Sequence, residues 1–309
     1  MKLIKSVPIP LGGLALGLAA LGNLLHPLGN SIRYVCGILS LILLILFALK
    51  FILDRPNALE ELRKPAPLSV MPTATMATMI LTSFLRPYAG TVALVIWCAA
   101  VALHIFIMLA FFKRFVLGFK LENVYPTWFV AFVGIVTAAV TAPEMGFRPF
   151  AQVIFWLGLA LYFAALVLVI KRKVSGIPVP EPLTLTTVIF TAPPNLLING
   201  YFSSFEVRNE AIVYMLFALA VIFYIFVTVK MLTSFLRVKF YPTYSAFTFP
   251  YVISALAFRH IDGFLTERGV TFFAPVATVT MWIAGALVFY VFIRYVCYFK
   301  ASVRASAAG

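Results

Sequence analysis

Apolar residues in this chain neither alternate nor stripe one face of a helix; they come in long blocks separated by short knots of Lys, Arg, Gly and Pro. Ten blocks run near residues 7–29, 32–53, 68–86, 90–112, 125–143, 150–170, 182–204, 210–230, 241–259 and 272–298. Each is long enough for a helix to cross a hydrocarbon core about 30 Å thick. The pattern predicts an all-α integral membrane protein of ten transmembrane helices. No connection is long enough for a separate soluble unit, so residues 1–309 read as one domain.

The ten blocks fall into two kinds. Odd blocks are interrupted: Pro8, Pro10, Gly12, Gly13 and Gly17 in the first, Pro72 in the third, Pro126, Gly134 and Pro143 in the fifth, Pro193 and Pro194 in the seventh, Pro242 and Pro250 in the ninth. Even blocks, apart from Pro275 near the start of the tenth, are plain runs of Leu, Ile, Val, Phe and Ala. Irregular backbone is tolerated at membrane depth only where protein or a watery cavity covers it. The odd helices are therefore expected inside and the even ones against lipid. Five quasi-repeated hairpins of this kind predict an inner ring of odd helices around a central pore, with kinks at Pro10, Gly13, Pro72, Gly134, Pro193, Pro194 and Pro250. Tyr125-Pro126-Thr127-Trp128 and Tyr241-Pro242-Thr243-Tyr244 read as two copies of one unit. Four odd blocks are rich in hydroxyls, of which Thr75, Thr137, Thr187, Thr191 and Thr248 are the candidate pore-lining groups.

Composition agrees: 63% of residues are hydrophobic and 11% charged, against about 25% charged in soluble domains. The net charge of +14 would suggest nucleic acid in a soluble protein, but its distribution is a topology signal. Eighteen of the 24 Lys and Arg residues fall on the side of both chain ends, which predicts cytoplasmic termini and an even number of spans. Lys2 and Lys5 ahead of an apolar run mimic a signal peptide, yet nine more blocks follow, so the run is read as the first span. The expected location is the cell inner (plasma) membrane, as a multi-pass protein. On the outer side Arg33, Arg86, Arg148, Arg208 and Arg259 supply one arginine to each successive turn. Such a ring could concentrate anions at a mouth; equally, each arginine could snorkel or pair with Glu144, Glu206 or Asp262.

No Asp, Glu, Lys, Arg or His sits in the middle of an odd block. Cation channels, pumps and proton symporters keep ionisable groups on their pathways, so an anion, held weakly by hydroxyls and helix N-termini, fits better. His104, on an even helix, reads as structural. Cys36, Cys98 and Cys297 have no metal-ligand spacing and read as buried fillers. No catalytic triad, paired carboxylates or phosphate loop appears, so neither an enzyme nor a cofactor or metal is expected.

Pro8-Ile-Pro10-Leu-Gly12-Gly13, Glu60-Glu61-Leu62-Arg63-Lys64-Pro65 leading into Met71-Pro72-Thr73, Pro126-Thr127-Trp128-Phe129, Ala192-Pro193-Pro194 and Phe247-Thr248-Phe249-Pro250 resemble the tellurite-resistance/dicarboxylate transporter family. That family includes bacterial TehA, fungal malate permeases and plant slow anion channels. The resemblance implies a homotrimer with a pore in each protomer, closed by a phenylalanine on the ninth helix. Here that gate is Phe249, with Phe247 as the alternate. It implies passage of small inorganic or carboxylate anions. The alternative is a carrier of C4-dicarboxylates such as malate, or of sulfite- or tellurite-related anions.

Overall fold

The structure is a computed structural model that describes residues 2–308, and no strand occurs among them. Five continuous helices correspond to the smooth blocks: α2 (Asn30–Leu53), α4 (Gly90–Phe111), α7 (Arg148–Val174), α9 (Glu210–Thr233) and α11 (Ala274–Ala308). The interrupted blocks give α1 (Leu11–Leu25), α3 (Pro72–Leu85), the short pair α5 (Trp128–Val133) and α6 (Val136–Thr141), α8 (Ala192–Ser204) and α10 (Phe249–Thr266).

Seven of these segments are long and apolar enough to cross a membrane: those built on α1, α2, α3, α4, α7, α9 and α11. The other three blocks fold as broken rods, each for a readable reason. Between α5 and α6, Gly134 and Ile135 form a turn with short-range bonds from Thr137 N–H to Gly134 O and Ala138 N–H to Ile135 O. Before α8, Leu185–Thr191 winds as a 3-10 helix, and before α10, Pro242–Phe247 does the same. Arg259, His260 and Asp262 further dilute the apolar character of α10.

The prolines lie in or next to the first turns of regular α-helix. Pro72, Pro193, Pro194 and Pro250 all lie in the first turn of their helices, and Pro10 caps α1. A first-turn residue has no intrahelical partner for its N–H, so proline costs nothing there and its fixed φ favours the helix. The backbone stays helical at Met71 between Pro65–Val70 and Pro72, and at Thr191 between Leu185–Thr191 and α8, while a non-helical Thr248 separates Pro242–Phe247 from α10.

Burial separates the two kinds of helix. The apolar windows of α1 and α3 are 72% and 67% buried, against 22–33% for the five continuous helices. Nearly every residue of α8 and most of α10 is buried as well. Within the buried set α1 packs on α3, α3 on α6, α6 on α8, α8 on α10, and α10 back on α1. The continuous helices lie outside, presenting residues such as Ile38, Phe106, Val153, Ile222 and Phe289 outward. Cys98 and Cys297 share those outward faces; only Cys36 is the buried filler expected of all three.

Polar side chains stitch the helices together. Ser40 Oγ donates to Ala15 O, Trp97 Nε1 to Thr141 Oγ1, Ser69 Oγ to Thr127 Oγ1, and Asn199 Nδ2 to Ile253 O. At the end where the chain termini meet, Tyr298 donates to Ser6 O. There the buried Lys50 ammonium donates to Val7 O at 2.5 Å and to Glu61 Oε1 at 2.6 Å.

Candidate functional site: a cavity where helices begin

The buried segments α1, α3, α5, α8 and α10 contribute to one cavity of about 60 Å³. Pro10 and Gly13 come from the start of α1, Thr73 and Met76 from the start of α3, and Val133 and Gly134 from the break before α6. Ala192 and Pro193 open α8, and Phe249 and Pro250 open α10. The first N–H groups of a helix lack intrahelical partners, and the aligned peptide dipoles give that end about half a positive charge. Four helix starts, each followed by at least 13 residues of helix, converge here with the α6 break. No ionised side chain stands in the lining, so these backbone ends are the source of charge nearest the cavity. Electropositive backbone with no fixed acid favours anions and leaves cations without a ligand.

Its polar side chains are the hydroxyls of Thr73, Thr186, Thr243 and Ser245. The predicted hydroxyls lie elsewhere, in seams between helices. Thr75 bonds Pro72 O and His104, and Thr191 faces Ser254 Oγ at 3.2 Å. Thr137 and Thr187 are buried outside the lining. Thr248 gives its hydroxyl to Ser245 O at 2.7 Å and Gly13 O at 3.0 Å, which fastens the start of α10 to α1.

The glycines of α1 explain why that helix carries no hydroxyls: they make room for its neighbours'. A Cβ at Gly12 would fall 2.6 Å from Thr73 Oγ1, at Gly13 3.0 Å from Ser245 Oγ, and at Gly17 2.5 Å from Thr248. Of the predicted breakpoints, Pro10, Gly13, Gly134, Pro193 and Pro250 line the cavity, while Pro72 and Pro194 do not.

Phe249 is 6% exposed and borders the cavity; its aromatic alternate, Phe247, is packed against Phe235 and Tyr244 and is absent from the lining. The room that remains suits a few waters or one small anion.

Residues 6–296 match the family model described as voltage-dependent anion channel. The chain belongs to that family. It is a membrane protein of an anion channel and transporter family, as the sequence resemblance implied, and no individually curated protein matches it. An anion-conducting function accords with a cavity built from helix N-termini.

At the far end of the buried helices the outer arginines are not free charges. Arg33 bonds Asn23 Oδ1 and Ser83 O and lies over the Phe84 ring. Arg86 bonds Gly90 O and Glu144 O, the backbone carbonyl rather than the carboxylate. Arg148 pairs with Glu206, Arg208 bonds Phe202 O while lying over that ring, and Arg259 bonds Leu24 O, not Asp262. Arg268, outside the predicted set, pairs with Glu210. Ser83, Glu144 and Leu24 stand at or just beyond the C-terminal ends of α3, α6 and α1, where the helix dipole is negative. The links Arg86–Glu144, Arg148–Glu206 and Arg268–Glu210 each span 58 residues.

Sequence reasoning also missed His104. It sits on α4 but reaches inward: its ring carbon Cε1 would lie 3.1 Å from a Cβ on Gly134.

Proposed function

We propose that this chain is a passive anion channel, or channel-like transporter, for small anions. In it ten membrane spans make five hairpins, and the buried members ring a pore within each protomer, closed by Phe249. The observation that carries the reading is the convergence of helix starts on one cavity with an uncharged lining. Weak, preorganised attraction from backbone ends lets an anion both enter and leave, as rapid conduction requires. The ring is supported by the packing sequence α1, α3, α6, α8, α10 and back to α1. The three broken rods complete the count of ten because their irregular backbone is enclosed by protein.

Phe249 is favoured over Phe247 because it alone of the two borders the cavity. A phenyl ring there blocks ions and disfavours water, so moving it aside opens the path. The lining has no Lys or Arg, whereas a carrier for a doubly charged C4-dicarboxylate would be expected to hold its two carboxylates with cations. The homotrimer implied by the resemblance, the cytoplasmic placement of both termini and the plasma-membrane location belong to the same proposal.

The test is anion current in a bilayer or oocyte for wild type, Phe249→Ala and Phe247→Ala, in chloride, nitrate and malate. Large ohmic currents in Phe249→Ala, well above the other two, are expected. Equal currents in wild type and Phe249→Ala would remove the gate. Substrate-dependent uptake without current in any variant would make the protein a carrier.

A further inference from the structure

The imidazole of His104 is completely buried on the inward face of α4, and its two nitrogens have different surroundings. Nδ1 lies 2.8 Å from Thr75 Oγ1, and that oxygen lies 2.8 Å from Pro72 O. A hydroxyl carries one proton. Giving it to Pro72 O leaves Thr75 Oγ1 to accept from His104, so both bonds form only if Nδ1 carries the histidine proton. Nε2 is then a bare lone pair, and it has no partner in the protein.

This unsatisfied nitrogen stands beside the cavity wall. Gly134 and Met76 both line the cavity, and a Cβ on Gly134 would lie 3.1 Å from His104 Cε1 and 2.8 Å from Met76 Sδ. The ring thus lies behind Gly134 and next to the Met76 side chain, one residue removed from the cavity. Pro65–Val70, α3 and α5 pack against α4 without a charged or titratable side chain; the turn Phe112–Val116 that continues α4 carries Lys113 and Arg114, and Trp97 reaches Thr141 and Phe150. On α4 itself the other titratable residue is Cys98, exposed on the outward face. Among the described residues none hydrogen-bonds Nε2.

We propose that His104 Nε2 is a proton-binding site coupled to the cavity, filled when an anion is bound there. A proton on Nε2 turns the ring into a fixed cation behind the Gly134 wall, and the counter-charge it lacks in the protein is the anion. By linkage each ligand strengthens the binding of the other, so acid raises anion occupancy and anions promote proton uptake. The inference rests on the cavity being the anion pathway. It adds a pH-responsive charge to a lining that has none of its own.

The chain has three histidines, so isotope-labelled histidine in the purified full-length protein gives few nitrogen resonances, and His104→Gln assigns the relevant pair. The glutamine amide can still donate to Thr75. The expected result is a protonated Nδ1 with a bare Nε2 at about pH 7.5, converting to a doubly protonated ring on acidification, at higher pH when nitrate is present. In the Phe249→Ala background, nitrate current should rise on acidification, and His104→Gln should abolish the rise. A ring whose nitrogens are indifferent to nitrate overturns the proposal, as does a pH dependence that survives His104→Gln. Nitrate-dependent protonation without current in any variant would uphold the site and remove the channel reading instead.

Discussion

Replacing Gly17 with alanine tests how closely α1 and the start of α10 are fitted together. The new methyl carbon would sit 2.5 Å from both Cβ and Oγ1 of Thr248 and 3.1 Å from Phe249 N. That is roughly 1 Å short of normal contact. Thr248 cannot rotate away from the clash, because its Cβ is fixed to the backbone and its hydroxyl is engaged by Gly13 O and Ser245 O. The helices must part, at a cost of about 1–3 kcal/mol for overpacking. Against this, alanine in a helix gains up to about 1 kcal/mol over glycine. Gly263→Ala isolates that gain, since a Cβ there meets nothing within 4 Å. Thermal unfolding in detergent, followed by tryptophan fluorescence, should therefore move in opposite directions: down by several degrees for Gly17→Ala and slightly up for Gly263→Ala. Because Phe249 N borders the same spot, Gly17→Ala should also leak nitrate. A Gly17→Ala protein as stable as wild type, with unchanged current, would refute the fitted contact.

Two other substitutions separate buried from exposed charge. Lys50→Met removes bonds to Val7 O and Glu61 from an ammonium that is 1% exposed. It should cost about 1–3 kcal/mol, below the loss for a wholly buried pair because the Glu61 side chain is 38% exposed and can rehydrate; a thermal midpoint unchanged from wild type would contradict this. Arg148→Gln breaks the pair with Glu206, whose partners are 45% and 81% exposed. It should cost under about 1 kcal/mol and shrink further in high salt, as thermal unfolding at two salt concentrations will show.

The membrane class and the division into broken and smooth helices were legible because both depend on block composition, which any window along the chain reports. That the backbone changes character near Pro10, Gly134, Pro193 and Pro250 was legible for the same reason, although proline's place in the first turn was not, since a proline between two apolar runs reads alike as a kink or a start. Which hydroxyls face inward was not legible. Thr73 lines the cavity and Thr75 does not, and choosing between them needs the rotation of α3 about its axis, set by packing on α1 and α4. The outer arginines left two readings open because their partners are mostly backbone carbonyls from the next hairpin, which carry no residue signature. His104 was assigned by the helix it sits on, whereas its contacts come from the side of that helix its neighbours cover.

The fastening of α10 to α1 has a consequence for how the protein is made. Thr248 to Gly13 and Arg259 to Leu24 each join residues 235 apart, so neither bond can form until α10 has been synthesised. Until then α1, with glycines on the faces that later receive Thr73, Ser245 and Thr248, waits in the bilayer beside α2 with part of its surface unmatched. Thr73 arrives early with α3, but Ser245 and Thr248 come only with α10 and the turn before it, so the first helix finds its final neighbour only once that segment has been made.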